Sequence, residues 1–407
     1  MAALAERLRS GDWLTRERVR LVAVALLAAS LLGLAFLVVT SDGLNDRSGR
    51  PLGTDFSNVY AAGTYVLEGQ PAAPFAPAKQ FTREQAIFGT ATQFYGWHYP
   101  PFFLALAALL ALLPYVAALF VWQGATLILY VCAMRAITGP DKLTLLLALA
   151  FPAVFINLGH GHNGFLTAAL MTGALLQLDK RPMLAGVLFG LLAYKPQFGL
   201  LIPFVLAASG RWRTFATAAA TAAALALVST LTFGIDVWRA FLESMSFTRE
   251  VVLERGDTGW HKIQSAFSWA RMWGASVGIA YLAQATVTLC VGGALVWLWR
   301  TPAPFALKAA ALLIATLLAT PYGLDYDLML LAPAIAFLAV DGIQRGYAPY
   351  QKTLLAALWL MPLLARSVAQ AAFIPLAVPL MLVVLMQILM IAAGRTATSA
   401  IASRTAH

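Results

Sequence analysis

The chain has 407 residues, of which 60% are hydrophobic and only 11% charged, with a formal net charge of +10. An ordinary soluble surface is about a quarter charged, so this composition and a mean hydropathy of +0.76 exclude a soluble globular protein and point to an all-α polytopic membrane protein. The basic residues mark the ends of apolar runs instead of forming an aromatic-interleaved patch, which speaks against nucleic acid and reads as topology signal and contact with membrane lipids.

In chain order, Arg7, Arg9, Arg16, Arg18 and Arg20 precede the charge-free run Leu21 to Thr40. This predicts a retained first span with a cytoplasmic N-terminus. Residues 41–99 follow as an exported loop with one or two short surface helices, including the helical-looking "FSNVYAAGTYVLEG", which Asp55 precedes. Phe102 to Met134 carries no formal charge but is long for one span and short for two, and Pro114 is expected to break it. "NLGHGHNG" (Asn157 to Gly164) and Lys195-Pro196 interrupt the next two apolar stretches. Polar or charged groups at such depth predict broken helices buried in protein or lining a cavity.

Thr214 to Ile235 reads as a clean span, followed by a second exported loop over 236–271 that contains "DTGWHKIQSAFSW". Met272 to Trp299 and Ala309 to Thr320 lead to "TPYGLDYD". Three apolar segments (Leu328 to Val340, Thr353 to Ala365, Ile374 to Ala393) and a short Arg-containing tail complete the chain. At roughly 20 residues per span there is room for about ten to twelve, in one transmembrane domain over 1–407. The orientation between 102 and 182 stays open because Lys142 and the Asp179, Lys180, Arg181 group do not settle on one side.

This order brings several polar clusters to one exported face: Asp55, "WHKIQS", "TPYGLDYD" and the two helix breaks. Asp55 reads either as a helix N-cap or as a functional carboxylate. His160 and His162 stand two apart without metal-ligand helix spacing, so no metal is expected. Lys195 could donate to carbonyls freed by Pro196 or hold a phosphate, and Asp325 and Asp327 could pair with Lys262 or Arg271. Trp97, Tyr99, Trp260, Trp269 and Trp273 are expected at the membrane interface. Cys132 and Cys290 read as packing residues. No G-x-S-x-G, phosphate-loop or zinc-protease signature is present.

"DFSNVYAAGTYVLEGQPAAPF", "YGWHYPPFFLALAALLALLP", "NLGHGHNGFLTAALM", "GLLAYKPQFGLLIPFVLAASGRWR" and "LLATPYGLDYDLMLL" stand in an order that resembles glycosyltransferase family 87 from about residue 19 to about 345. The resemblance implies a GT-C membrane fold, a polyprenyl-phosphate sugar donor and an extracytoplasmic site with a catalytic aspartate at Asp55. The family usually has Gln where this chain has His162.

The sequence therefore leads us to expect an inverting hexosyltransferase of a bacterial inner membrane that passes a hexose, with mannose first in line, to a lipid or glycan acceptor without a cofactor. Asp55 would be the base. Lys195, Lys262, Arg255 and Arg271 would bind the donor phosphate, and Tyr60, His162, Asn163, His261, Gln264, Tyr326 and Asp327 would meet sugar or acceptor. The alternative is a flippase for a lipid-linked saccharide, which calls for two related halves with paired broken helices, whereas both breaks found here lie in one half.

Overall fold

Interruptions in the apolar pattern set the architecture. The computed structural model describes residues 2–405. A short helix α1 (Ala2–Ser10) leads to α2 (Arg16–Val39), capped by the Thr15 hydroxyl on the Arg18 N–H. α2 buries only Ala23, as suits a helix whose apolar side chains meet lipid and not a protein core. The loop over 41–99 folds into α3 (Thr54–Leu67), a 3-10 turn at Ala73–Phe75 and α4 (Pro77–Phe88), which opens on a proline whose missing N–H costs nothing there.

The run 102–134 breaks at Leu112 to Pro114 into α5 (Phe103–Ala111) and α6 (Tyr115–Thr138), where the sequence predicts it. α7 (Lys142–Leu149) and α8 (Pro152–His160) meet at a bend of 47°, just before a proline that disfavours helix in the residue preceding it. α8 stops at Gly161, whose φ of 63° is left-handed, and α9 (Gly164–Gln177) starts after Asn163. At the second break α10 (Pro182–Leu191) tightens into a 3-10 turn at Leu192–Tyr194, and Pro196 opens α11 (Pro196–Gly199) and α12 (Ile202–Ala208).

α13 (Trp212–Phe233) leads to the second loop. It contains α14 (Ile235–Thr248), a π-helical stretch at Arg249–Arg255, a 3-10 turn at Trp260–Lys262 and α15 (Ala266–Met272). Next come α16 (Val277–Arg300), α17 (Phe305–Ala319), a 3-10 stretch at Asp325–Leu330, α18 (Leu331–Arg345), α19 (Gln351–Ala372) and α20 (Ala377–Thr405). The Arg-containing tail continues α20, but its side chains beyond Gly394 lie outside the described residues.

α17 is the core helix. It is apolar on every side, almost all of its residues are buried, and its alanines let α16, α18 and α20 approach closely. Among the described residues there is no β-strand, and seven helices are long and apolar enough to cross a membrane. The bent α7–α8 pair makes an eighth. The expected ten to twelve spans included stretches that are cut into apolar helices of 10–17 residues, too short at about 1.5 Å per residue to cross a hydrocarbon core of about 30 Å alone.

Two smaller expectations are corrected. Trp97 and Tyr99 are not interfacial: they are buried in an aromatic cluster with Phe103, where packing of large rings outweighs the pull of their polar ends. Cys132 and Cys290 are not packed but free and exposed on the outer faces of α6 and α16.

Candidate functional site

The site is built from the start of α3 outward. Gly53 occupies the N-cap position of α3, and no side chain caps the helix, so Asp55 is not an N-cap; it stands in the first turn, where the helix dipole favours a negative charge. A Cβ on Gly161 would fall 3.2 Å from the Gly53 Cα and 2.6 Å from the Phe56 Cβ, so only glycine lets the end of α8 lie against the start of α3. Across this contact Thr54 Oγ1 and His160 Nδ1 share a hydrogen bond of 2.7 Å.

Asp55 itself is half-buried, and among the described residues its carboxylate has no hydrogen bond and no ion pair. Burial pushes its carboxyl above the ordinary range. The charge of His160 opposes that most strongly, Lys195 and Lys262 oppose it further, and Asp325 adds to it. An acid so placed is a proton acceptor poised nearer neutrality than a surface aspartate.

A single β-bridge between Ile263 and Leu324, with the Gln264 N–H donating to the Gly323 carbonyl at 2.6 Å, docks "WHKIQS" against "GLDYD". Asp327 accepts from Lys195 Nζ at 2.6 Å, and the two side chains are only 2% and 6% exposed. Asp325 accepts from Arg366 Nη2 of α19 at 2.5 Å. The expected pairing of these aspartates with Lys262 or Arg271 is thus corrected. Residues two apart on a 3-10 turn point about 120° apart, so the carboxylates face two different elements, the Lys195 break and α19.

The sugar-contact residues are brought together only in part. His162 stacks on Tyr326 with ring centroids 3.5 Å apart, and Asn163 donates to the Tyr99 hydroxyl at 2.8 Å. Asn157 fixes both segments by donating to the Tyr326 carbonyl and accepting from the Gly164 N–H, each at 2.9 Å. His162, Asn163, Tyr99 and Tyr326 thus belong to one packed cluster, and the Asp55 charge acts on its two tyrosines. Gln264 is buried, with its side chain tied to the His261 carbonyl and the Ala377 N–H.

Three residues stand apart. Tyr60 donates its hydroxyl to the Leu113 carbonyl at 3.0 Å, Arg255 is exposed and paired with Glu250, and Arg271 donates to the Ala275 and Glu254 carbonyls while stacking over Trp260. Lys262 and His261 lie near Arg366 at the rim. Burial lowers both below their ordinary values; on Lys262 the Arg366 charge acts next, and on His261 the Lys262 and then the Arg366 charge. Among the described residues the Lys262 ammonium has no hydrogen bond or ion pair.

Sequence reasoning missed Arg366 and gave His160 only a metal-ligand reading. The signal for Arg366 was present: it is a lone cation in the apolar run "LLARSV", and such a residue is functional by default.

The model described as Glycosyltransferase family 87 matches residues 97–321, more than half of the chain. The protein belongs to glycosyltransferase family 87. It is therefore a multi-pass membrane glycosyltransferase that acts on a sugar donor and an acceptor. Within this family 87 chain the matched stretch includes the "GHGHN" break, Lys195 and the second loop; Asp55, the two aspartates of "DYD" and Arg366 fall outside it. Comparison with curated proteins and with solved structures gives no match.

Proposed function

We propose that the protein transfers a hexose, mannose first in line, from polyprenyl phosphate to a lipid or glycan acceptor on the extracytoplasmic face of a bacterial inner membrane. One observation carries the reading: within a site whose other carboxylates are paired, the half-buried Asp55 carboxylate is free and its affinity for a proton is raised.

The acceptor hydroxyl gives its proton to Asp55 as its oxygen bonds to the anomeric carbon of the donor from the face opposite the phosphate. The bond from that carbon to the phosphate oxygen breaks with its electron pair, polyprenyl phosphate departs, and the configuration inverts. Asp55 then passes the proton to water. A phosphate leaving group needs charge stabilisation more than protonation, which is why one carboxylate suffices beside several cations. Lys262, unpaired at the rim, is the most available cation, while Lys195 keeps Asp327 and Tyr326 in place. His162, Asn163 and Tyr326 offer ring and amide surfaces to the hexose.

The test is transfer of radiolabelled sugar from polyprenyl-phosphate mannose and polyprenyl-phosphate glucose into membrane lipids. Wild type is compared with Asp55→Asn at equal folded protein. Transfer from one donor, reduced 10²–10⁴-fold in the variant, is the expected result for loss of a general base. Retained transfer in the variant overturns the base, and no transfer from either donor overturns the donor assignment.

A further inference from the structure

Arg366 lies outside the matched stretch of the chain, and its surroundings are unusual for a structural arginine. One face of its guanidinium is committed: Nη2 meets Asp325, whose side chain is 2% exposed. The rest is not committed. The Arg366 side chain keeps 38% of its exposure, and its Nε is buried without any hydrogen-bond partner. Arg211 and Arg271 also keep a buried Nε without a partner, so what singles out Arg366 is the combination of an Nη2 fixed on Asp325, an exposed remainder of the fork and a second cation close by.

The neighbouring charges sharpen this. The 3-10 turn Trp260–Lys262 packs against α19, and the half-buried Lys262 ammonium near Arg366 is itself unpartnered among the described residues. Asp325 is ion-paired to the arginine alone, and the charges that reach Lys262 are those of Arg366 and Arg50 against Asp325 and Asp55, so with Lys262 itself the group carries one positive charge in excess. Like charges held together at a partly desolvated rim are unfavourable alone and become favourable when an anion enters between them. Arginine adds the planar fork that matches phosphate oxygens two at a time, and lysine adds a mobile point charge.

We infer that Arg366 and Lys262 form a clamp for the phosphate of a prenyl-phosphate lipid, with Asp325 as the post that fixes the arginine. The clamp rests on the polyprenyl-phosphate reading proposed above and gives it a site that closes from the C-terminal side of the chain. Arg366 binds substrate phosphate. Asp325 is a positioning residue, because it acts only through the guanidinium it holds.

The test measures binding without sugar transfer. Farnesyl phosphate, farnesol and inorganic phosphate are titrated into the detergent-solubilised full-length protein and followed by intrinsic tryptophan fluorescence. Trp260 belongs to the turn that carries Lys262, and Trp269 to α15, which packs on that turn. The clamp requires farnesyl phosphate to bind at least tenfold more weakly to Arg366→Gln and to Lys262→Gln than to wild type, with farnesol affinity unchanged. Arg366→Gln leaves Asp325 buried and alone, so the double variant Arg366→Gln with Asp325→Asn, which removes both charges, must show the same loss. Unchanged farnesyl phosphate affinity in the folded variants overturns the clamp and leaves the transferase reading to the Asp55→Asn assay. Absence of farnesyl phosphate binding in wild type also overturns it, and inorganic phosphate binding as tight as farnesyl phosphate overturns the lipid as the source of the anion.

Discussion

Lys195 Nζ and Asp327 Oδ1 lie 2.6 Å apart in the protein interior, joining the break after α10 to the 3-10 stretch before α18. Buried pairs of this kind reveal themselves by asymmetry: losing one partner strands a charge, whereas losing both in favour of apolar groups of similar volume is often neutral. Lys195→Met alone should therefore destabilise by about 3–5 kcal/mol, and Lys195→Met with Asp327→Leu by much less. Thermal unfolding midpoints in detergent check the order, and equal losses in the single and double variants would show the pair is not what matters.

The pH dependence of transfer should report Asp55. The base must be ionised to act, so the rate falls as pH drops through its pKa, and burial places that fall above the usual carboxylate range of about 4. His160 opposes the shift, so His160→Gln should move the acid limb to still higher pH while the alkaline plateau changes less than about tenfold. A limb that moves to lower pH in this variant would contradict the assignment.

Glu84 makes a second pH prediction, on stability. Its fully buried carboxylate accepts from the Tyr95 N–H at 2.9 Å and from Gln80, yet burial raises its pKa from 4.5 to about 8. A raised folded-state pKa means that the folded protein holds the proton more tightly. Its stabilising contribution is therefore complete below about 4.5 and lost as pH rises through about 8. Wild type should lose thermal stability as pH rises from about 4.5 to about 8 and level off above that, and Glu84→Gln should flatten that slope.

The α3–α5 crossing depends on one missing side chain. A Cβ on Gly63 would lie 2.1 Å from the Ala107 carbonyl oxygen and 2.6 Å from its carbon, both backbone atoms of a packed helix. Gly63→Ala should cost at least the 1–3 kcal/mol typical of overpacking, roughly, and lower transfer along with the melting midpoint because α3 carries Asp55. Gly124→Ala, where an added methyl would meet nothing within 4 Å, is the matched control and should be near neutral.

Much of this was readable from the chain because membranes punish ambiguity. Proline at 114 and 196 and the glycines of "NLGHGHNG" mark breaks whose freed backbone groups need protein around them, and each break is found where the sequence puts it. Asp55 was conspicuous for the same reason. What the sequence does not encode locally is partner choice. Asp327 finds Lys195 from 132 residues away, and Asp325 finds Arg366 across the turn from a helix that had seemed merely apolar. Arg255 and Arg271 show the converse: Glu250, Trp260 and nearby carbonyls hold them locally, which a count of charges in a loop does not reveal.

The Asp325–Arg366 contact also sets a timetable for biosynthesis. Asp55 emerges from the ribosome among the first sixty residues and Asp325 long after, but the guanidinium that compensates Asp325 belongs to the last tenth of the described chain to be threaded. Until α19 is inserted, a carboxylate destined for the interior lacks its ion-pair partner. A nascent chain halted between α18 and α19 should be a marked target for membrane quality control, and one released with α19 in place should escape it.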